Sequence, residues 1–393
     1  MGAVEYSTLV SELESIAQDP PSEVLQDDRL RGRLLKAAQN IVPQIEKPNE
    51  TTQRIIYTPL ELMAGVIGSN LHIFEILSQT VSSLNTTDLA AKTGADPALL
   101  ERLLKYFASL SMVKEVDAGV WAASRLTATL ATPGIAAGLL NNHVNLGRVW
   151  LEFPTFLEKN KYQTVADPRH CVFSEAHQGR PAFEWLEENP TNAQIFSLFM
   201  TQQRFAQKNW LDGFPFEEVV CKGESDSKRP LFVDVGGGRG HQCEAVLARF
   251  PYLAGRVILE DQASMLSDAL SIEGVRKIAI DLFKEQPIKG ARAYYLRNVL
   301  HDWPDEKSLA ILSHLKRAMS PTSVLLIDEM IVPTKGAHKI TMQVDMAMYG
   351  AAGAEERTEK RWNDLISRAG FKIDQVYTYF DELKDSIMVL SIK

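Results

Sequence analysis

The chain has 393 residues, a formal net charge of −8, 45% hydrophobic residues and 23% charged residues, which is ordinary globular composition. At about 100–200 residues per domain, two domains are expected. The acidic balance argues against a surface built to neutralise phosphate, so no nucleic-acid partner is expected, and it offers an anionic membrane no polybasic handle. No apolar run is long enough to cross a bilayer, so no membrane partner is expected either.

Cys171, Cys221 and Cys243 lie far apart with no C-x-x-C pair. Neither a zinc site nor a disulfide framework is signalled, and free thiols in a cytoplasmic chain are the expectation. Residues 1–10 lack a basic stretch followed by an apolar run, so no secretion signal is read there. Met1-Gly2 hints at myristoylation, but Tyr6 stands where that motif takes Ser or Thr.

In chain order, Leu9, Leu13 and Ile16 fall at helical spacing over 7–18. This helix is either a frayed tail or a segment that packs on a partner subunit. Residues 58–131 read as helices followed by a hairpin. A short helix ends at 89–91 and a turn runs over 93–97. Asp96 suits an N-cap, with Pro97 in the first helical position. Leu99, Leu100, Leu103, Leu104, Phe107 and Leu110 then make a wide apolar face. Residues 112–116 and 120–123 alternate as two strands around Asp117-Ala118-Gly119.

Helix, turn, helix and hairpin make a winged-helix pattern. Its would-be recognition helix offers Glu101, Arg102 and Lys105, and its hairpin sets Lys114 beside Glu115 and Asp117. That footprint is poor for DNA, so the unit reads as a packing module. Residues 141–215 are helical and rich in large apolar side chains, among them Trp150, Phe153, Phe156, Phe183, Trp185, Phe196, Phe199 and Met200. Most are core, and a few suit a pocket wall.

A polar loop at 222–229 precedes a change of period. Residues 231–235, 256–260, 277–280, 291–296 and 324–327 are short apolar runs rich in β-branched residues, with helical segments at 241–250, 263–270 and 305–319. The alternation predicts parallel strands in a doubly wound, Rossmann-like α/β sheet. A helix over 360–369 is followed by strands at 372–379 and 386–392, whose short link permits only an antiparallel pair. A mainly α-helical domain therefore precedes an α/β domain, with boundaries set at 1–190 and 191–393.

Three motifs carry chemistry. In 233–241, Val-Asp-Val-Gly-Gly-Gly-Arg-Gly-His, a strand ends in glycines that open a helix, letting a ligand approach the backbone without meeting a Cβ. A dinucleotide fingerprint wants a small residue where His241 stands. The G-x-G-x-G spacing from Gly236 suits a compact adenosyl ligand without a pyrophosphate. Glu260-Asp261 ends the next strand about 20 residues on, where an acid accepts from ribose hydroxyls; Asp261 is preferred to Glu260. Asp281-Leu282-Phe283 follows the third strand and suits the amino group and faces of an adenine. Residues 295–306, Tyr-Leu-Arg-Asn-Val-Leu-His-Asp-Trp-Pro-Asp-Glu, lie at the carboxyl end of the fourth strand, where such sheets bind ligands. Part of this stretch is helix punctuation: Asp302, Pro304 and Asp305 all suit the start of the following helix.

Taken with Leu325 to Pro333 and Glu356-Arg357-Thr358-Glu359, these motifs occur in one order with even spacing. Over nearly the whole chain, the sequence resembles the class I S-adenosylmethionine-dependent O-methyltransferases of the plant caffeate type, and above all their fungal secondary-metabolite relatives. The resemblance implies a homodimer formed through the winged-helix domain. It implies that S-adenosyl-L-methionine is held by Gly236, Gly237, Gly238 and Asp261, flanked by Asp281 and Leu282 and supported by Arg297. It makes His301 the general base, bracketed by Glu329 and Glu356, with Glu355 standing one residue away as an alternative register. Phe196 and Met200 match positions that line the substrate cavity. The expected acceptor is a hydroxyl on a small aromatic or enolic molecule, and no metal is expected.

A phenol, with a pKa near 10, is a poor nucleophile until deprotonated, which is the task of a positioned imidazole. Three competing readings remain. A regulatory winged-helix protein is opposed by the acidic composition, and a nicotinamide oxidoreductase by His241. The third, a pericyclase or dehydratase on the same fold that keeps the cofactor and transfers no methyl, is opposed by the presence of His301, Glu329 and Glu356. Lys335, His338 and Lys339, after the fifth strand, read as a solvated basic loop.

Overall fold

The computed structural model describes residues 6–202 and 209–393. Met1-Gly2 and positions 203–208 of the stretch read as helical over 141–215 lie outside the described residues. The chain divides into two compact units at Ala64/Gly65.

In the first unit the helix read over 7–18 runs from Tyr6 to Gln18. Three further helices, Ser22–Gln26, Asp28–Ile45 and Pro48–Tyr57, add to the sequence reading. Asp27 starts the longest of them by accepting from the amides of Arg29 and Leu30 at 2.9 and 3.0 Å, satisfying donors that a helix start leaves unpaired. None of these four helices contains a buried residue.

In the second unit the winged-helix pattern is realised by helices Thr86–Thr93 and Pro97–Ser109. Strand β1 (Leu84–Asn85) joins β2 (Val113–Asp117) and β3 (Val120–Ala123) in a small sheet of order β1-β3-β2. Asp96 caps its helix as expected, accepting from the Leu99 amide at 2.9 Å. The buried face is Leu100, Leu104 and Phe107, while Leu99 is exposed. Lys105 pairs with Glu101 at 2.7 Å, which offsets one of the few cations on the second helix.

The helical layer that follows is more broken than the sequence implies. It comprises a π-turn at Asn141–Asn145 and helices Gly147–Lys159, Val172–Ala176, Ala182–Glu188 and Pro190–Gln202. The last helix packs closely on Pro133–Leu140, because a Cβ at Gly138 would lie 2.7 Å from the Phe199 ring and one at Gly134 2.7 Å from Gln202.

The large sheet holds β4 (Phe232–Val235), β5 (Val257–Asp261), β6 (Val275–Ala279), β7 (Ala293–Arg297), β8 (Val324–Met330), β9 (Phe371–Phe380) and β10 (Asp385–Ile392) in the order β6-β5-β4-β7-β8-β10-β9. The pairs from β6 to β8 are parallel, and β10 runs antiparallel to both β8 and β9. This is the doubly wound sheet with an antiparallel end that the sequence predicts. Alternate strand residues face opposite sides. Val233, Val235, Leu296 and Ile327 pack under helices Asp305–Ala318 and Glu359–Arg368 through Leu312, Leu315, Trp362 and Leu365. Phe232, Leu259, Tyr295 and Leu326 face Trp210, Val246 and Leu247 on the other side. Deleting a large side chain from either layer, as in Leu312→Ala, costs about 2–5 kcal/mol.

The order reverses between β4 and β7, since β5 and β6 lie to one side and β8 to the other. The carboxyl ends of β4 and β7 therefore flank a topological switch point, where open α/β sheets form their ligand crevice.

Candidate active site

The glycine loop leaves β4 at that switch point. Gly236, Gly238 and Gly240 have φ of 74, 58 and 88°, the left-handed region that glycine enters without steric cost. The three do different work. A Cβ at Gly240 would lie 2.9 Å from Leu259, so this glycine lets the helix His241–Arg249 pack on β5. At Gly237 a Cβ would press into Asp234 and Leu259, so this glycine serves the core, and its N–H donates to the carbonyl of Glu260 at 3.1 Å. At Gly238 a Cβ would meet nothing within 4 Å, so the backbone there faces open space.

Asp261, the last residue of β5, accepts from the Gly238 amide and from its neighbour Gln262, both at 2.7 Å. Burial raises its pKa, and those two amides work against the rise. Glu260 is fully buried instead, and its carboxylate accepts from Gln286 at 2.7 Å. Burial pushes it up to about 7. Of the two acids, Asp261 is the one at the loop. An open backbone beside an anchored carboxylate fits a ligand that carries hydroxyl donors and requires close approach, as a nucleoside does.

Other expected cofactor residues lie further along the sheet edge. Asp281 is exposed, holds its own turn by accepting from the Phe283 amide at 2.9 Å, and lies 3.4 Å from Lys284. Leu282 is half-buried on the core beside Phe283. Arg297 ends β7 with its guanidinium 3.7 Å from Asp328; burial disfavours its charge, and Asp328, Tyr379, Tyr295 and Asp385 together more than restore it. Asp328 also accepts from Tyr295 at 2.5 Å and from Tyr379 at 2.8 Å.

After β7, a 3₁₀ turn over Leu300–Asp302 buries His301. Asp328 and Glu329 are adjacent on β8 and so point to opposite faces. Glu329 turns toward this segment, where one of its oxygens accepts from the amides of Val299, Leu300 and His301 at 3.1, 2.9 and 3.3 Å. Its other oxygen lies 3.8 Å from Nδ1 of His301. Glu356 places an oxygen 2.6 Å from the same Nδ1, and its own amide donates to Asp345 at 2.9 Å. Glu355 instead pairs with Arg361 at the surface, so Glu356 is the one of the two that lies against the imidazole. Nε2 of His301 lies 3.6 Å from Asp302.

Burial works to lower the pKa of His301, but the charges of Glu356, Glu329 and Asp302 and the bond to Glu356 overcome it, pushing the imidazole up to about 10. Burial raises Glu329 and takes Asp302 up to about 6, in each case against the pull of His301. Such a cluster holds the ring in one orientation with Nδ1 as the donor and makes Nε2 a strong proton acceptor.

His301, Glu329 and Glu356 also form the group among the described residues whose donor atoms all lie within 4.8 Å of one another. Their geometry is that of a hydrogen-bonded set. The 2.6 Å from Nδ1 to Glu356 is shorter than two ligands of one metal allow, since bonds of about 2.0–2.2 Å at tetrahedral angles hold ligand atoms more than 3 Å apart.

Phe196, on helix Pro190–Gln202, starts a row of rings leading to this turn. Phe183 lies 6.5 Å from Phe196 and 5.7 Å from Trp303, and Trp303 lies 4.8 Å from Phe283. Met200, one turn beyond Phe196, is exposed. The stretch after β8 departs from the sequence reading. Lys335 is exposed as expected, but His338 caps, and Lys339 begins, a helix that runs to Ala352. Three residues that the sequence reading did not single out belong to the arrangement. Asp234 is buried below the glycine loop, and burial pushes it up to about 7. Asp328 and Arg357 are likewise buried.

A nucleoside-type cradle after β4 and a carboxylate-held imidazole after β7, on a doubly wound sheet with an antiparallel end and a helical N-terminal module, define a methyltransferase of small molecules. The chain belongs to the O-methyltransferase family, whose methyl donor is S-adenosylmethionine: the family's O-methyltransferase domain matches residues 158–372 and its dimerisation domain matches residues 66–133. It is similar to the O-methyltransferase ucdC of Aspergillus ustus, with 36% identity over 370 residues covering 92% of this chain and 95% of the relative. The solved structure of LepI in complex with SAM is 32% identical, with a TM-score of 0.91 and 99% of each chain covered. A structure described as a pericyclic reaction enzyme is also 32% identical, with a TM-score of 0.91 and full coverage of both chains. Among the described residues, no helix is long and apolar enough to cross a membrane.

Proposed function

We propose that the protein methylates a hydroxyl of a small aromatic or enolic molecule of polyketide type, with His301 as general base. The observation that carries this reading is the buried imidazole whose Nδ1 is held by Glu356 at 2.6 Å. The bond leaves Nε2 as the atom that takes the hydroxyl proton, and the raised basicity of the ring, to about 10, matches the ordinary pKa of a phenol, near 10. Glu356 stabilises the imidazolium as it forms, and Glu329 holds the turn that carries the ring. When bound, S-adenosylmethionine supplies an electrophilic methyl group. Gly236, Gly238 and Asp261 hold it, with Gly237 shaping the loop. Asp281 and Leu282 flank its base, and Arg297 supports the loop through the field it shares with Asp234. Phe196 and Met200 belong to the acceptor wall, a role supported for Phe196 by its ring row to Trp303.

The functional division falls at 1–190, for dimerisation and part of the pocket, and 191–393, for catalysis, and the working form is a homodimer. The matched dimerisation domain supports this organisation. A cytoplasmic location accords with three unpaired cysteines.

The similar pericyclic enzyme supports a second reading, in which the cofactor is kept and the substrate rearranged or dehydrated without methyl transfer. Incubation with methyl-labelled S-adenosylmethionine and a panel of phenolic and enolic polyketides, followed by mass spectrometry, separates the two. Methylation adds a labelled methyl group to the acceptor, and His301→Ala abolishes the addition. A product of unchanged or dehydrated mass, with the donor intact, overturns the methylation reading.

A further inference from the structure

We propose that Arg357 is a positioning residue that sets the geometry of the His301–Glu356 pair; the inference rests on His301 acting as the base. Arg357 is completely buried, and its guanidinium makes four hydrogen bonds to one segment of the chain. Nη1 donates to the carbonyl of Leu300 at 2.8 Å. Nη2 donates to the carbonyl of Trp303 at 2.8 Å and to Oγ of Ser308 at 3.3 Å. Nε donates to Asp305 at 3.0 Å. The ring of Trp362 lies 5.2 Å from its centre.

The turn bearing His301 is thus gripped twice. Its amides at 299, 300 and 301 converge on the Glu329 carboxylate, while the carbonyls of Leu300 and Trp303 converge on Arg357. One grip takes donors and the other acceptors, so together they fix the position and tilt of the turn.

Arg357 also follows Glu356 directly in the chain. One residue contacts the ring and the next contacts the backbone that carries the ring. The carbonyl of Arg357 accepts from Val332 at 3.1 Å, which ties this pair of residues to the segment just after β8. Displacing residue 357 therefore changes the separation of Nδ1 from Glu356 at both ends. A planar fork with five donors reaches four acceptors in divergent directions, whereas a lysine ammonium on a single stem cannot.

The test compares Arg357→Lys with the wild-type enzyme, with His301→Ala in parallel. Circular dichroism confirms folding, calorimetry gives the affinity for S-adenosylmethionine, and kcat and KM are followed against pH. Proton NMR records the downfield imidazole N–H signal of a short, charge-assisted bond, assigned by its loss in His301→Ala. Arg357→Lys is expected to bind the donor within about twofold of wild type, to lose about 10²-fold in kcat, as a misplacement near 1 Å does, to displace the acid limb of the pH profile downward, and to shift or lose the downfield signal. A variant with wild-type kcat, pH limb and downfield signal, measured where His301→Ala is inactive, overturns the proposal. Full turnover by His301→Ala instead overturns the general-base reading, and the downfield signal then still reports whether Arg357 sets the pair's geometry. Should Arg357→Lys not fold, Asp305→Ala, which removes the acceptor of Nε together with that of the exposed Arg361 and Arg368, carries the test. A smaller displacement of the same limb and signal supports the proposal, and no displacement overturns it.

Discussion

Glu356 holds Nδ1 of His301 at 2.6 Å although 55 positions separate them in the chain, and of the groups that raise the basicity of the ring the charge of Glu356 does most. Removing its charge lowers the imidazole pKa from about 10 toward the ordinary histidine value, about 6.5. The free wild-type enzyme holds a protonated ring below about 10, so its kcat/KM is expected to rise with pH up to there. In Glu356→Gln the limb moves to lower pH and the plateau falls, because a weaker base takes the proton less readily. Initial rates across pH 6–10 check both movements.

Glu329 holds backbone as well as charge. Glu329→Ala leaves the amides of Val299, Leu300 and His301 without their shared acceptor, and each buried donor left unpaired costs about 1–3 kcal/mol. A loss of about 3 kcal/mol or more is expected in urea unfolding. Glu329→Gln retains a carbonyl oxygen in the same place, so its stability stays within about 1 kcal/mol of wild type while its pH profile shifts.

Asp261 is the acid expected to take the ribose hydroxyls. Its substitution by Asn removes a charged acceptor, and hydrogen bonds to charged groups contribute about 1.5–3 kcal/mol, so affinity for S-adenosylmethionine should fall about 10–10²-fold. Calorimetry measures this directly. Glu260→Gln, at a side chain buried against Gln286, should leave the affinity near wild type. The opposite ranking of the two variants would falsify the assignment.

Asp234 makes stability depend on pH. Its folded pKa is about 7 because burial disfavours the carboxylate, above its ordinary value of about 3.9. The folded protein therefore keeps a proton that the unfolded chain releases between these values. The resulting stabilisation is complete below about 4 and is lost as pH rises toward 7, at a rate of up to about 1.4 kcal/mol per unit. Asp234→Asn removes this contribution. Relative to wild type it should gain stability between pH 5 and pH 8 in urea titrations, and parallel curves would show that Asp234 does not titrate in this window.

The sheet was legible because parallel strands buried on both faces are written as apolar runs, as in 231–235 and 291–296, and because the glycine turn admits few alternatives. The helix cap at Asp96 is local chemistry and equally readable. What escaped depends on tertiary placement. The helix Lys339–Ala352 opens beside two basic residues that resemble loop composition, and its buried positions Thr341, Gly350 and Ala352 mark no clear stripe. The π-turn at Asn141–Asn145 is supported by Asn145 and Asn192 bonding to each other at 2.6 Å across 47 positions, which no local window contains. Glu260 and Asp261 are neighbours of the same type, and only the pleat decides that the first enters the core. Arg357 stood in a motif already noted, but its role became visible only through the carbonyls it meets.

The imidazole and its two carboxylates come from positions 301, 329 and 356, and they meet only once β7, β8 and the segment entering the last helix are all seated. Pairings of such wide sequence separation form late on a folding pathway, after their loops have closed. Catalytic recovery after dilution from denaturant should therefore trail the return of helical signal. A refolding intermediate with most of its secondary structure in place would be inert, which makes turnover a strict gauge of completed assembly.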